Sequence, residues 1–68
     1  MKFKYDKTID ALYINLSNGA YKHSKKVTDD ILVDVDDTGK VIGLEILHAT
    51  ENITHFNPEK PILPVITS

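Results

Sequence analysis

The chain has 68 residues, ten acidic and eight basic side chains, a formal net charge of −2 and no cysteine. This length allows one domain with a thin core, and the lack of cysteine excludes disulfides and thiolate metal sites. Charged residues interrupt the segment from Met1 to Leu16, and no apolar run approaches the length of a membrane span. We therefore expect a cytoplasmic protein without a signal peptide or a membrane segment.

Alternation of apolar and polar residues, the pattern of a β-strand, runs through most of the chain. Strands are predicted at 2–5 (KFKY) and 11–16 (ALYINL), and a polar, lysine-rich strand at 21–27 (YKHSKKV) suits an exposed sheet edge. The last two strands, ILVDV at 31–35 and KVIGLEIL at 40–47, are joined by the turn sequence DDTG. Because consecutive strands with short links are usually antiparallel neighbours, the pattern predicts a small antiparallel β-meander of four to five strands.

The alternation ends after Leu47. The segment 49–56 (ATENITHF) predicts a short helix with Thr50 as its N-cap, ended by Pro58. We therefore predict an α+β fold, with an all-β fold as the alternative, in one domain over residues 1–57. The apolar, proline-rich segment 58–68 is predicted to be an extended tail that packs on the core or on a neighbouring subunit.

Residues 34–45 have the spacing of a calcium-binding loop, with Asp34, Asp36 and Glu45 at ligand positions. Such a loop needs a helix on each side to aim its first and last ligands at one point. Here both flanking segments alternate like strands, so Asp34 and Glu45 would be outward strand residues and Asp36 a turn residue. The hairpin interpretation is favoured over a calcium site.

The register of this hairpin follows from the turn length that gathers its aliphatic residues on one face. A three-residue turn over 37–39 would set Val33 against Gly43. An even turn, over 38–39 or 37–40, would set Val33 against Leu44 instead. We therefore predict an even turn and three facing aliphatic pairs, Ile31–Ile46, Val33–Leu44 and Val35–Ile42.

Two blocks of the sequence carry a family resemblance: YDKTIDALYINL at 5–16, and DDILVDVDDTGKVIGLEIL at 29–47 followed by HA. Over about residues 3–50 the chain resembles the DUF2283 family of small prokaryotic proteins. The resemblance implies no established activity. Genes of this family sometimes stand beside small toxin genes, which implies an antitoxin-like or partner-binding role. The matching signature positions include Tyr5, Asp6, Asp10, Leu12, Tyr13, Asp34, Asp36, Gly39, Gly43 and Glu45.

Catalytic chemistry has little support in the sequence. Nucleophilic catalysis needs a nucleophile oriented by a base in a pocket, and no serine, Ser24 included, has an obvious partner. Asp34 and Glu45 resemble an acid/base carboxylate pair, but outward strand positions account for both. His48 and His55 have a metal-ligand spacing only if a helix joins them. We therefore predict no enzyme activity, no cofactor and no metal site.

Two classes of binding protein remain. The lysine-rich N-terminal half could form a nucleic-acid surface through Lys22, Lys25 and Lys26 beside Tyr21, although the acidic total and the absence of arginine oppose this. Sheet edges, a partly apolar second face and the apolar tail are means of self-association and of strand addition by a partner. We predict an interaction module, a homodimer that binds a protein partner, with nucleic-acid binding as the alternative.

Overall fold

The computed structural model describes residues 1–60. Most of the tail predicted over 58–68 therefore lies outside the described residues. The described part is mostly β, an antiparallel sheet with one helical turn, and no helix in it is long and apolar enough to cross a membrane. Its elements are β1 (Lys2–Asp6), β2 (Ala11–Asn15), β3 (His23–Lys26), β4 (Ile31–Val35), β5 (Val41–Ile46) and α1 (Ala49–Asn52).

The sheet has the order β1-β2-β5-β4-β3, with every neighbouring pair antiparallel. Consecutive strands pair as predicted, except that β5 takes the place of β3 beside β2. This arrangement sets Leu12 against Ile46 and Ile14 against Leu44, and it leaves the lysine-rich β3 at an edge. The physical reason is burial: β5 is more apolar than β3, so β5 lies in the centre of the sheet and β3 at its edge.

The link from β2 to β3 therefore passes the end of the sheet where β4 turns into β5. The N–H groups of Leu16 and Ser17 donate to the Ile42 carbonyl at 2.8 and 3.2 Å, and the Lys22 N–H donates to the Val35 carbonyl at 2.8 Å. These bonds satisfy backbone groups of a link that has no strand partner of its own.

The β4–β5 hairpin confirms the predicted pairs Ile31–Ile46 and Val33–Leu44. The prediction of an even turn is wrong: the Asp36 N–H donates to the Lys40 carbonyl at 3.0 Å, which encloses residues 37–39. A register shift between Asp34 and Val35 then places Val35 opposite Val41 instead of Ile42. The bulge adds one residue to β5. For this reason the three-residue turn is compatible with the pairs Ile31–Ile46 and Val33–Leu44.

The core lies on one side of the sheet, which we call the inner face. Leu12, Ile14 and Ala49 are its buried centre, and the Tyr5 and Phe56 rings meet edge to face with centroids 5.1 Å apart. Apart from the centre, the cluster includes the half-buried Tyr5, Leu44, Ile46, Ile53 and Phe56.

The helix that covers this core is shorter than predicted. It ends at Asn52 instead of residue 56, with Ile53 already extended at φ −114°, because its C-terminal residues are poor helix formers. Its N-cap is His48, and not Thr50 as predicted. Thr50 instead donates its hydroxyl and its N–H to the Asp10 carboxylate at 2.7 and 3.3 Å. A carboxylate from the β1–β2 turn thus satisfies the first turn of the helix.

Candidate functional site

The opposite side of the sheet, its outer face, brings four of the signature positions together. Tyr13 lies opposite Glu45 across β2 and β5, and Asp34 lies opposite Gly43 across β4 and β5. Because side chains alternate along a strand, these four residues share one face in the middle of the sheet. Alternation alone placed each of them outward, and the β2–β5 pairing makes them neighbours.

Ser24 on the edge strand β3 connects the two carboxylates. Its hydroxyl donates to Asp34 Oδ1 at 2.6 Å, and its Oγ also lies 3.1 Å from Glu45 Oε2. The Tyr21 hydroxyl is 3.0 Å from the same Oγ and can donate to it. One serine proton satisfies the nearer carboxylate only, so within residues 1–60 Glu45 has no full side-chain donor of its own. From the sequence Ser24 had no obvious partner, and these bonds correct that expectation.

The proximity of the two acids affects the proton affinity of Glu45. Its contact with the Asp34 carboxyl raises the pKa of Glu45 above the ordinary value of 4.5, partial burial raises this pKa further, and the bond from Ser24 opposes both effects. A raised pKa means that the pair of negative charges is unfavourable where it lies. The acid/base pair considered from the sequence is therefore close in space, with the Ser24 hydroxyl within hydrogen-bond distance of both carboxylates.

A hollow of about 220 Å³ opens beside these groups. Gly43 is one of the residues that line it, and a Cβ there would lie 2.9 Å from the Ile14 carbonyl oxygen and 3.3 Å from Asp34 Oδ2. Asp34 Oδ2 therefore lies over the glycine, while Ser24 binds the other carboxylate oxygen. The residues that line the hollow are Tyr13, Ile14, Asn15, Gly19, Tyr21, Asp34, Ile42, Gly43 and Leu44.

A second group of signature positions supports the fold. The Tyr5 hydroxyl donates to Asp10 Oδ1 at 2.6 Å, and this bond is the main cause that raises the pKa of Tyr5 to about 12. The bonds that Asp10 accepts from Tyr5 and Thr50 lower the pKa of Asp10. In the same turn, Asp6 Oδ1 accepts from the N–H and the hydroxyl of Thr8 at 3.0 and 2.6 Å. These residues link the β1–β2 turn to the helix.

The calcium-loop positions are divided between two places. Asp36 Oδ1 accepts from the Thr38 N–H at 2.9 Å, the Thr38 hydroxyl at 2.6 Å and the Lys40 N–H at 3.0 Å. Gly39 has a φ of 86°, which favours glycine. Asp36 and Gly39 thus build the turn, whereas Asp34 and Glu45 bind Ser24 on the outer face. Within residues 1–60 no three acidic, histidine or cysteine side chains come together as a metal site.

The three lysines of the possible nucleic-acid surface do not share one face. Lys25 lies opposite Val33, in register with the inner face, and Lys26 lies opposite Leu32, in register with the outer face. Lys26 Nζ is 3.4 Å from the Asp29 carboxylate, and Lys22 precedes β3. The structure places all three at one edge of the sheet, with their side chains divided between its sides.

His48 lies where the chain leaves the sheet for the helix. Its Nδ1 is 3.1 Å from Asp30 Oδ1, and this contact raises the pKa of His48 above 6.5. His48 has a φ of 50°, a left-handed conformation that starts the helical turn. Because the helix ends at Asn52, His48 and His55 do not share a helical face, and the metal-ligand spacing considered for them is not realised.

Comparison with known proteins gives one match. A family model described as a protein of unknown function, DUF2283, matches residues 2–49. No curated protein and no solved structure matches the chain. The matched span contains all five strands and both groups of signature positions. The chain belongs to the DUF2283 family.

Proposed function

We propose that this protein is a small interaction module that self-associates through the inner face of its sheet and binds a protein partner at the β3 edge. The observation that carries the first part is an apolar row across four strands, which we call the inner row. It consists of Phe3, Ile14, Leu44 and Val33, paired in that order. Phe3 is 38% exposed, and Leu44 and Val33 are half-buried.

The helix covers the other end of the inner face. Among residues 1–60 only six apolar side chains are buried, which is few for a stable unit of this size. Packing of a second copy on the inner row would remove more apolar area from water, at about 25 cal/mol per Å². In the proposed twofold dimer the two inner rows would face each other at the spacing of about 10 Å that packed sheets adopt.

Charge favours this face-to-face arrangement over edge-to-edge pairing of two copies. Both outer strands carry lysines, Lys2 and Lys4 in β1 and Lys25 and Lys26 in β3. Two copies of the same edge would bring like charges together, which destabilises a strand pair. We therefore assign self-association to the inner face and binding of other chains to the sheet edges.

The protein partner is proposed to add a strand to β3. Among residues 1–60, β3 pairs with β4 alone, so its other side can accept a strand. Lysines at this edge favour a partner strand that carries acidic residues. Nucleic acid has less support, because Lys25 and Lys26 are in register with opposite faces and Asp34 and Glu45 occupy the outer face between the two lysine-bearing edges.

Light scattering on the full chain tests self-association. We expect a dimer at micromolar concentration, a folded monomer for Phe3→Glu, and a dimer for the control Ile9→Glu. Ile9 is 57% exposed in the β1–β2 turn, outside the inner row. A full chain that remains monomeric at high micromolar concentration, or a dimeric Phe3→Glu variant, would overturn this part of the proposal.

Co-purification from the native source, followed by mass spectrometry, tests the partner. The variant with Lys25→Glu and Lys26→Glu should lose a co-purifying protein that Phe3→Glu retains. If that protein is lost only with Phe3→Glu, the partner uses the inner face and the edge assignment is wrong.

A further inference from the structure

The outer face contains a charge arrangement that self-association and strand addition leave without a role. Asp34 and Glu45 lie side by side in the centre of the sheet, and among residues 1–60 neither has an ion-pair partner. Like charges at neighbouring positions destabilise a sheet. Polar or apolar side chains at either position would satisfy the strand pattern without this unfavourable term, so the fold alone does not explain the pair.

The hollow over Gly43 lies directly beside Asp34, and two of the residues that line it are tyrosines. We propose that this hollow binds an organic ammonium group, with Asp34 as the counter-ion and the rings of Tyr13 and Tyr21 as walls. Asp34 Oδ2 lies over Gly43, on the side of the carboxylate that Ser24 does not bind. Both tyrosines and Asn15 line the same space. The site is on the opposite side of the sheet from the inner row and goes beyond the proposed function.

Three features select an ammonium group over other ligands. An anion would be repelled by Asp34 and Glu45. A calcium ion takes six to eight oxygen ligands, and residues 1–60 contain no cluster of three acidic, histidine or cysteine side chains that could hold a metal. An ammonium group carries up to three N–H donors and is attracted to the face of a tyrosine ring, so a hollow lined by one carboxylate and two tyrosines suits it.

The size of the hollow limits the ligand. At about 220 Å³ it is smaller than the pockets of roughly 300–1,000 Å³ that hold drug-sized molecules. It accommodates the end of a linear aliphatic amine. The same chemistry is available from a free small amine and from a lysine side chain of another protein.

Glu45 adds to the site without lining the hollow. A positive charge bound at Asp34 offsets the repulsion between the two carboxylates, so ligand binding should lower the pKa of Glu45. This change is a readout that a purely structural role of the pair would not produce.

The test is an NMR titration of the full chain with two probes, putrescine as a free amine and Nα-acetyl-lysine-N-methylamide as a protein lysine. We expect saturable shifts of the Asn15, Asp34 and Gly43 amides, and a fall in the Glu45 pKa at saturation. Asp34→Asn should weaken binding roughly tenfold or more, the effect of losing a hydrogen bond to a charged group. Tyr13→Leu should weaken it by about two- to fivefold.

The matched control is Asp29→Asn, whose carboxylate has an exposed fraction of 99%. This variant and Phe3→Glu should bind the probes as the unmodified chain does. The probe that binds more tightly identifies the source of the ammonium group. If Asp34→Asn does not fold, the weaker binding expected for Tyr13→Leu tests the site, and unchanged binding in that variant would overturn it.

Three results would overturn the site: no saturable shift with either probe, shifts that the Asp34→Asn variant retains in full, or a Glu45 pKa that binding leaves unchanged. Calcium chloride is the competing probe. If it produces the same Asp34-dependent shifts at lower concentration than both amines, the hollow is a metal site and the proposal is wrong.

Discussion

The inner and outer faces of the sheet are built from alternate residues of the same strands, yet their packing differs sharply. On β2, Leu12 and Ile14 are buried in the core while Tyr13, between them, is half-buried on the outer face. On β5, Leu44 packs against the core and Glu45 meets Asp34 and Ser24 on the other side. Apolar burial on one face thus allows the other face to hold an unfavourable pair of carboxylates.

The largest expected effect is on the inner face. Leu12 has an exposed fraction of 0% and lies at the centre of the core, so Leu12→Ala should lower the free energy of unfolding by about 2–5 kcal/mol. A chain this short could lose its folded state entirely. Urea unfolding measures the change, with Val27→Ala as the control because Val27 is 62% exposed. Equal losses for both variants would contradict the division between core and surface.

Gly43 lies on β5 against the backbone of the neighbouring strand β2. An added Cβ would lie 2.9 Å from a backbone oxygen of Ile14, so Gly43→Ala should destabilise the sheet by about 1–3 kcal/mol. At Gly19 the nearest atom, at 2.7 Å, belongs to the Ile42 side chain, and a side chain can move more readily than a paired strand. Gly19→Ala should therefore have the smaller effect on the melting temperature. The reverse order would mean that β2 and β5 can separate at little cost.

Glu45→Gln is expected to act in the opposite direction. Because the pKa of Glu45 is raised in the folded state, the folded state binds this proton more tightly than the unfolded chain. The stability of the unmodified chain should therefore fall as pH rises from the ordinary pKa of glutamate through the raised one. At neutral pH, Glu45→Gln should stabilise the protein by about 0.2–1 kcal/mol.

The gain in stability from Glu45→Gln should disappear below the ordinary glutamate pKa, because Glu45 is then protonated in the folded and in the unfolded state. Urea unfolding at acidic and neutral pH measures the difference. Glu51→Gln in the exposed helical turn is the control, and it should show no gain that increases with pH. A loss of stability in Glu45→Gln at neutral pH would mean that the carboxylate pair stabilises the sheet.

The last prediction concerns the titration of one side chain and not the stability of the fold. The bond from Tyr5 to Asp10 raises the tyrosine pKa to about 12, and Asp10→Asn should return it toward 10, because the amide carries no negative charge. NMR of the tyrosine ring against pH measures the change, with Asp30→Asn as the control. An unchanged Tyr5 pKa in Asp10→Asn would show that another group holds the hydroxyl.

The candidate site was only partly predictable from its residues. Alternation placed Tyr13, Asp34 and Glu45 outward, but an outward position says nothing about which residues from other strands are beside it. Ser24 had one available signal, a short hydroxyl side chain among the lysines of β3. Its role depends on the pairing of Ser24 with Asp34, and on the diagonal position of Glu45 one strand further along the sheet.

Alternation and turn residues were enough to predict the strands and two of the three facing pairs of the β4–β5 hairpin, because both act over a few neighbouring positions. The family was recognised from the residues of the two sequence blocks. Only the tertiary structure decided the β2–β5 pairing, the bulge after Asp34 and the cap that Asp10 provides to Thr50. These depend on groups far apart in the chain. Their energies are set by which apolar surfaces and polar atoms meet once the sheet has closed, and no local pattern contains that information.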